Sequence, residues 1–168
     1  QAYKSLLNKD EKQPIGIVLH YPDDTAGDAA RFKAAKIEVQ GHGRIRNDVI
    51  RYALVGAGGF GVATLVPTFG KFSDMYQLYG VVSRDAVRGG NVVRQYRAKV
   101  LASDLEPILE DPDCDMVVLA TRHDEHAPQT VRALNAGKNV FVEKPLAITW
   151  EGLDAIVKTY VELGDKAP

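Results

Sequence analysis

The sequence RYALVGAGGFG, at residues 51–61, is the most informative part of this chain for predicting its fold. An apolar run of strand length leads directly into three glycines in the spacing G-x-G-x-x-G, namely Gly56, Gly58 and Gly61. In such a loop the first glycine permits a tight turn, the second lets a diphosphate approach the backbone, and the third lets the next helix pack closely. A helical segment follows at residues 60–69, so the context favours a diphosphate-binding loop over a purely structural glycine turn.

From Asp48 onward, short apolar runs alternate with longer periodic segments, which is typical of βαβ units and a parallel sheet. The predicted fold class is therefore α/β, a Rossmann-type doubly wound parallel sheet over residues 50–168. No strand follows the last helical segment, so we expect the sheet to be truncated before its last strand. Five parallel strands are predicted, at residues 50–55, 78–83, 99–101, 116–120 and 139–142.

Local signals predict where three of the helices begin, end or pack. Ser103 and Glu106 have the spacing of a capping box at a helix start. Pro128 is predicted in the first turn of the next helix, and Gly137 is placed to end it in a left-handed conformation. The last helix is predicted to bury one apolar stripe, made of Leu153, Ile156, Val157, Tyr160 and Val161.

Residues 1–49 lack the βαβ alternation and are predicted to be a short N-terminal extension, either a linker or the tail of an upstream domain. A strand is plausible from Ile15 to His20. Residues 30–43 alternate only weakly between polar and apolar before a Gly-rich turn.

The composition narrows the class of partner to a small molecule. Of the 168 residues 45% are hydrophobic and the formal net charge is −1, with the basic residues scattered, so we expect neither nucleic-acid nor membrane binding. No stretch approaches the ~20 apolar residues that cross a bilayer, and the polar N-terminus does not resemble a signal peptide. A cytoplasmic location is expected, and the single cysteine, Cys114, agrees with a reducing compartment.

The end of the second predicted strand, VVSRD at residues 81–85, is expected to contact the adenosine ribose of a dinucleotide. NAD-binding folds place an Asp or Glu there, whereas this chain has Ser83 and Arg84. A hydroxyl and a guanidinium suit a 2′-phosphate, so NADP is favoured over NAD. NAD remains the alternative, because Asp85 would contact the ribose if the register shifted by a residue or two.

A second candidate cluster, ATRHDEHAPQ at residues 120–129, follows the fourth predicted strand. Thr121 and Arg122 are expected on the rim where open α/β sheets bind ligands. We expect His126 to face the cleft and His123 to be an exposed loop residue. A metal site is disfavoured because no third ligand with suitable spacing is present.

Four stretches follow one another along the chain: RYALVGAGGFG, SRD, DCDMVVLATRHDEHA and AGKNVFVEKPLA, the last at residues 136–147. In order and spacing they resemble the glucose-fructose oxidoreductase and inositol dehydrogenase family (Gfo/Idh/MocA), and AGKNVFVEKPLA is the most specific of them. The resemblance covers about residues 50–163 and concerns the dinucleotide-binding domain of that family. One departure is that the family usually has Thr-Pro-Asn where this chain has Thr121, Arg122 and His123.

The resemblance implies roles for individual residues. The glycine loop would bind the cofactor through Gly56, Ala57, Gly58, Gly59, Phe60 and Gly61. The nicotinamide end would be contacted by Thr121, Arg122, His126 and Glu143. Lys144 would lie beside the nicotinamide and the substrate hydroxyl and assist proton transfer, so Lys144 and His126 are the candidate catalytic residues. The bond before Pro145 is a candidate for the cis form.

The function implied is that of the NAD(P)-binding domain of an oxidoreductase that transfers hydride to or from a sugar-like or polyol alcohol carbon. The alternatives are a non-catalytic NAD(P)-sensing module of the same fold, or the nucleotide-binding domain of another oxidoreductase or a methyltransferase. The family's substrate domain is absent, so the chain alone is expected to be inactive. Residues 2–22 also resemble the end of a zinc-type alcohol dehydrogenase-like region, and the parent protein is expected to be a homo-oligomer.

Overall fold

The computed structural model describes residues 36–39 and 46–168, and within them the sheet is six-stranded with the order β1-β4-β3-β2-β5-β6. Strands β2 to β6 run parallel to one another, while β1 pairs antiparallel with β4. The strands are β1 (Lys36–Glu38), β2 (Ile50–Val55), β3 (Tyr76–Val82), β4 (Val100–Ala102), β5 (Met116–Leu119) and β6 (Asn139–Val142).

Helices connect the parallel strands. The first, α1, is π-helical over Gly61–Leu65 and α-helical over Val66–Gly70, and the N–H of Val66 bonds to the carbonyl of Gly61. Pro67 lacks an N–H and so cannot continue the ordinary ladder at this point. The other helices are α2 (Ala86–Tyr96), α3 (Glu106–Leu109), α4 (His123–Asn135) and α5 (Trp150–Leu163), which continues into a 3₁₀ turn at Gly164–Lys166.

The parallel part of the sheet confirms the predicted doubly wound fold. The chain moves outward from β2 to β3 and β4, then crosses back to β5 on the other side of β2 and on to β6. The order therefore reverses between β2 and β5, and a crevice at the carboxyl ends of these two strands is where such sheets bind ligands.

The core lies on both faces of the central strands, which explains why β2 and β5 look like continuous apolar runs in the sequence. Side chains alternate between two clusters. One face carries Ala53, Val55, Val117 and Leu119, and the other carries Tyr52, Leu54, Met116 and Val118. All eight are at most 8% exposed, so helices cover the sheet on both sides at its centre.

The edge strand β1 was not predicted. Only three residues, Lys36–Glu38, pair with β4. This pairing places part of the N-terminal extension in the same sheet as the five parallel strands. Three alternating residues give too weak a pattern to identify a strand from sequence. The Lys36 ammonium strengthens the pairing, because it donates to the buried Asp111 carboxylate at 2.6 Å. The strand predicted from Ile15 to His20 lies outside the described residues.

Two of the predicted helix starts are wrong. Helix α3 begins at Glu106 with Leu105 at its N-cap, so Ser103 does not cap it, and Glu106 instead pairs with Arg132. Helix α4 begins at His123, which places Pro128 inside the helix. Acidic residues in the first turn of α4, Asp124 and Glu125, favour the earlier start through the helix dipole.

The predicted end of α4 is confirmed, whereas the predicted buried face of α5 is partly wrong. Gly137, at φ +69°, follows the end of α4 as predicted. In α5, Ile156 is buried as predicted, but Val157, Tyr160 and Val161 are 53%, 57% and 70% exposed, so that part of the predicted stripe is wrong. Thr159 is buried instead, and the contact surface of α5 among the described residues is narrower than its apolar face. No described helix is long and apolar enough to cross a bilayer.

An ion pair at the amino ends of the strands ties β2 to the turn before β5. The Arg51 guanidinium donates from Nε and Nη2 to the two oxygens of Asp115 at 2.9 and 2.8 Å, and the Arg51 backbone N–H donates to the same carboxylate. These hydrogen bonds lower the pKa of Asp115. The arrangement is bidentate and the Arg51 side chain is only 14% exposed, so it is stronger than an ordinary surface pair.

We predict that Asp115→Ala lowers the free energy of unfolding by about 2 kcal/mol, because three charge-assisted hydrogen bonds are lost. The measurement is urea unfolding followed by circular dichroism. The matched control is Glu162→Ala, which removes the exposed Lys158–Glu162 pair and should change stability by less than about 0.5 kcal/mol. A lowered folded-state pKa stabilises above the ordinary value of 3.8, so the difference from wild type should shrink as the pH falls below it. Equal effects of the two substitutions would contradict the assignment.

Candidate functional site

A cleft of 490 Å³ lies at the carboxyl ends of β2, β3 and β5, at the point where the strand order reverses. The glycine loop forms one wall, through Gly56, Ala57 and Gly58. The residues after β3, Ser83 and Arg84, line one end of the cleft, and those after β5, Thr121 and Arg122, also line it. Seven of the residues predicted to bind a cofactor therefore share one cavity.

The glycine loop has the geometry that its spacing predicts. Gly56 has a φ of +96°, and a Cβ there would lie 2.7 Å from the Ala120 carbonyl oxygen, so only glycine fits this turn. A Cβ at Gly61 would lie 3.0 Å from the Gly56 carbonyl oxygen and 3.3 Å from Leu54, which shows how closely the helix packs on the sheet. Gly58 has no atom within 4 Å of the position of a Cβ, so the loop backbone there is open to an approaching group.

In the turn after β3, Arg84 makes no ion pair with a described residue, while the neighbouring Asp85 carboxylate caps α2. The Asp85 side chain accepts the Arg88 backbone N–H at 2.9 Å and so caps α2, while Ser83 Oγ donates to the Asp85 carbonyl at 2.9 Å. Arg84 is exposed and makes no ion pair with any residue in the described ranges. This end of the cleft therefore offers a guanidinium, and the carboxylate of the adjacent Asp85 is already bonded to the Arg88 N–H.

The cleft also contains residues that the motifs did not predict: Arg88, Ser103, Asp104, Glu125, Gln129 and Arg132. Ser103 and Asp104 follow β4, and the rule that ligands bind at the carboxyl ends of parallel strands would have identified them. Glu125 and Gln129 are one turn apart on α4, a spacing visible in the sequence once the helix start is known. Thr121 Oγ1 donates to Gln129 Oε1 at 2.8 Å, so this rim residue is held by α4.

The expectation that His126 faces the cleft is wrong. Its side chain is 1% exposed and does not line the cavity. The ring lies between two backbone carbonyls, with Nδ1 2.8 Å from the Pro145 oxygen and Nε2 3.3 Å from the Thr121 oxygen. The cause is the early start of α4, which places His126 on the buried side of its first turns. His123 is exposed as expected, but it is the first residue of α4 and not a loop residue.

Glu143 and Lys144 do not line the cleft either, but lie on the loop that follows β6. The Glu143 N–H donates to the Leu119 carbonyl at 3.1 Å, which extends the pairing of β6 with β5 to the point where the rim begins. Lys144 is exposed, and the Lys144–Pro145 peptide bond is cis, as the resemblance implied. Phe60, 52% exposed, and Gly59 and Gly61 are likewise outside the cavity lining.

Neither a metal site nor a reactive cysteine is found in the part of the chain that the structure describes. No group of three or more His, Cys, Asp or Glu side chains there is arranged to hold a metal ion. The Cys114 thiol is buried, and burial raises its pKa to about 11, so it is a poor nucleophile near neutral pH.

Comparison with known proteins gives matches over the same residues. A family model described as an oxidoreductase family with an NAD-binding Rossmann fold matches residues 50–167. A 4-carboxy-2-hydroxymuconate-6-semialdehyde dehydrogenase of Sphingobium sp. is 38% identical over 68% of this chain and 36% of its own length. An inositol 2-dehydrogenase of Acidothermus cellulolyticus is 33% identical over 65% of this chain and 32% of its own length. The chain thus spans about a third of the length of these relatives.

Solved structures agree with these matches. The WlbA dehydrogenase from Bordetella pertussis, in complex with NADH and UDP-GlcNAcA, superposes with a TM-score of 0.64 at 28% identity, over 69% of this chain and 35% of that one. The myo-inositol dehydrogenase from Lactobacillus casei, in complex with NAD(H) and myo-inositol, gives a TM-score of 0.63 at 28% identity, over 68% and 34%. With the family model matching residues 50–167, the chain belongs to the GFO_IDH_MocA oxidoreductase family and contains its NAD-binding Rossmann fold.

Proposed function

We propose that residues 50–168 bind an NAD(P) cofactor in the cleft and that, within a longer polypeptide, they serve hydride transfer to or from an alcohol carbon of a sugar-like or polyol substrate. The observation that carries the proposal is the open backbone at Gly58, beside the tight turn at Gly56, at the point of strand reversal. The substrates named for the inositol dehydrogenases support the substrate class.

The residues present fit a dinucleotide. The cofactor, when bound, supplies or accepts the hydride. Gly56, Ala57 and Gly58 would hold the diphosphate, because their backbone lines the cleft beside the start of α1. Ser83 and Arg84 would hold the adenosine ribose, and we propose NADP over NAD because Arg84 is unpaired among the described residues while Asp85 caps α2. Thr121 and Arg122 would face the nicotinamide half.

Lys144 is proposed to hold and move the proton of the substrate hydroxyl. Its ammonium makes no hydrogen bond or ion pair within the described residues, so it is available to a ligand. The loop that carries it begins at Glu143, whose N–H is bonded to Leu119 at the end of β5. A general acid or base in this role contributes about 10²- to 10⁴-fold to a rate. A module that only senses the cofactor would have no chemical need for this lysine.

We also propose that residues 1–49 connect this domain to an upstream zinc-type alcohol dehydrogenase-like region, which the resemblance of residues 2–22 supports. The parent protein is proposed to be a homo-oligomer, and the chain alone to bind cofactor without turnover. The gene sequence on both sides of this segment tests the domain arrangement. A flanking substrate domain without any dehydrogenase-like region upstream would contradict the first of these proposals.

We predict that Gly58→Val weakens NAD(P)H binding at least tenfold, because a branched side chain would occupy the space above the loop. Isothermal titration calorimetry measures the affinity and thermal unfolding measures the stability, which should stay close to wild type. Gly70→Val is the matched control, since a Cβ at Gly70 also meets no atom within 4 Å but lies outside the cleft. Normal cofactor affinity in a folded Gly58→Val protein would exclude the glycine loop as the site.

We predict that the wild-type chain binds NADPH more tightly than NADH, and that Arg84→Ala lowers the NADPH affinity about tenfold while leaving NADH within about twofold. Separate titrations with the two cofactors measure this. Arg94→Ala, on α2 but outside the cleft lining, controls for the general loss of a positive charge. Tighter binding of NADH by the wild type would reverse the cofactor assignment.

We predict that Lys144→Met, in a polypeptide that includes the substrate domain, lowers kcat by about 10²- to 10⁴-fold with cofactor affinity close to wild type. Steady-state kinetics and cofactor titration provide the two readouts. Lys158→Met removes another exposed lysine, on α5, and should leave both unchanged. Unchanged turnover in Lys144→Met would remove this residue from the mechanism.

A further inference from the structure

The buried ring of His126 lies between the two segments that follow β5 and β6. Thr121 follows β5 and lines the cleft, while Pro145 follows Lys144 on the loop after β6. The His126 ring lies between them, 2.8 Å from the Pro145 carbonyl oxygen at Nδ1 and 3.3 Å from the Thr121 carbonyl oxygen at Nε2. One side chain therefore spans from the cofactor rim to the peptide unit next to Lys144.

The two contacts differ in what they require. Both partners are carbonyl oxygens, which only accept, so each hydrogen bond needs an N–H on the ring. A neutral imidazole has a single N–H, and the shorter distance, to Pro145, assigns it to Nδ1. A buried polar group without a partner is destabilising, and His126 is only 1% exposed. Losing the hydrogen bond to Pro145 would therefore destabilise the protein.

The histidine is itself well held, whereas the loop has few other restraints. His126 lies on α4, where its own carbonyl accepts the Thr130 hydroxyl at 2.8 Å. Helix α4 packs tightly on α5: a Cβ at Gly152 would lie only 3.0 Å from the Ala127 Cβ, so the two helices approach closely at this glycine. Among the described residues, His126 makes the side-chain hydrogen bond that reaches the loop between Glu143 and Ile148. Helix α4 thus holds the middle of a loop whose other contacts are the Glu143 backbone hydrogen bond at its start and the packing of Ala147 near its end.

We propose that His126 is a positioning residue: its Nδ1–H donates to the Pro145 carbonyl and fixes the loop that carries Lys144 to helix α4, next to the cofactor rim. The histidine does not touch substrate or cofactor, and acts on the reaction through Lys144. The part of the proposal that concerns turnover rests on the role of Lys144 proposed above, while the anchoring of the loop stands on the contacts of His126 alone.

Two substitutions of His126 distinguish the hydrogen bond made by Nδ1 from the contact made by Nε2. The amide nitrogen of Asn is placed where His has Nδ1, and that of Gln where His has Nε2. His126→Asn should therefore retain the bond to Pro145, and His126→Gln should lose it. Hydrogen–deuterium exchange of the segment at residues 143–148, in the chain without cofactor, should stay within about twofold of wild type for Asn and rise about three- to tenfold for Gln. Equal exchange in the two variants, or faster exchange in Asn, overturns the proposal.

A second measurement uses the wild-type protein and therefore does not depend on whether a variant folds. Nitrogen-15 NMR of the imidazole rings identifies which nitrogen of His126 carries the proton, with the signal assigned through a variant or by through-bond transfer. A proton on Nδ1, alone or with one on Nε2, supports the proposal. A proton on Nε2 only overturns it, because Nδ1 would then have nothing to donate to Pro145.

Turnover in the longer polypeptide tests the consequence for Lys144. His126→Asn should keep kcat within about threefold, and His126→Gln should lower it about tenfold or more, with the Kd for cofactor unchanged in both. A wild-type chain that fails to bind NAD(P)H would contradict the proposed function, yet the exchange and NMR results would still decide whether His126 anchors the loop. Loop anchoring with equal kcat in the two variants would restrict His126 to a structural role and overturn its role in positioning Lys144.

Discussion

The turn at Gly56 is the constraint on which the rest of the site depends. Its backbone has a φ of +96° and packs so closely on β5 that a Cβ would approach the Ala120 carbonyl oxygen to 2.7 Å. The approach is this close because β2 and β5 pair up to Val55 and Leu119, where the strand order reverses. The crevice of a doubly wound sheet opens at this point, and the glycine loop, the turn after β3 and the rim after β5 all border it.

A second set of contacts organises the part of the site beside the cleft. Helix α4 holds Thr121 through Gln129 and reaches the Lys144 loop through His126. Both side chains are buried, and only Gln129 also lines the cleft, so His126 in particular suits a residue that fixes the geometry of others. The cleft therefore contains the groups that would bind a cofactor, and helix α4 contains side chains that hold its rim and the Lys144 loop in place.

Much of this arrangement was predictable from sequence, because apolar runs, the glycine spacing and the VEKPLA stretch are local signals. The five parallel strands, the doubly wound order and the joint position of Gly56, Arg84 and Thr121 were confirmed. The errors arose where tertiary contacts overrule local pattern. His126 looked like a cleft residue because a histidine near a strand end often is one, but its burial depends on where α4 begins. The edge strand β1 depends on a partner 66 residues away, at the Lys36–Ala102 pair, and three residues give no pattern of their own.

The proposed binding of a dinucleotide along the glycine loop can be tested at each residue of this cleft. The measurement is a ¹H–¹⁵N correlation spectrum of the chain, titrated with NADPH, because each backbone amide reports on its own surroundings. We expect saturable shifts concentrated at Gly56 to Gly61, at Ser83 and Arg84, and at Thr121, with the opposite end of the sheet around Arg51 and Asp115 unchanged. The absence of saturable shifts at those amides, or shifts centred elsewhere on the domain, would contradict it.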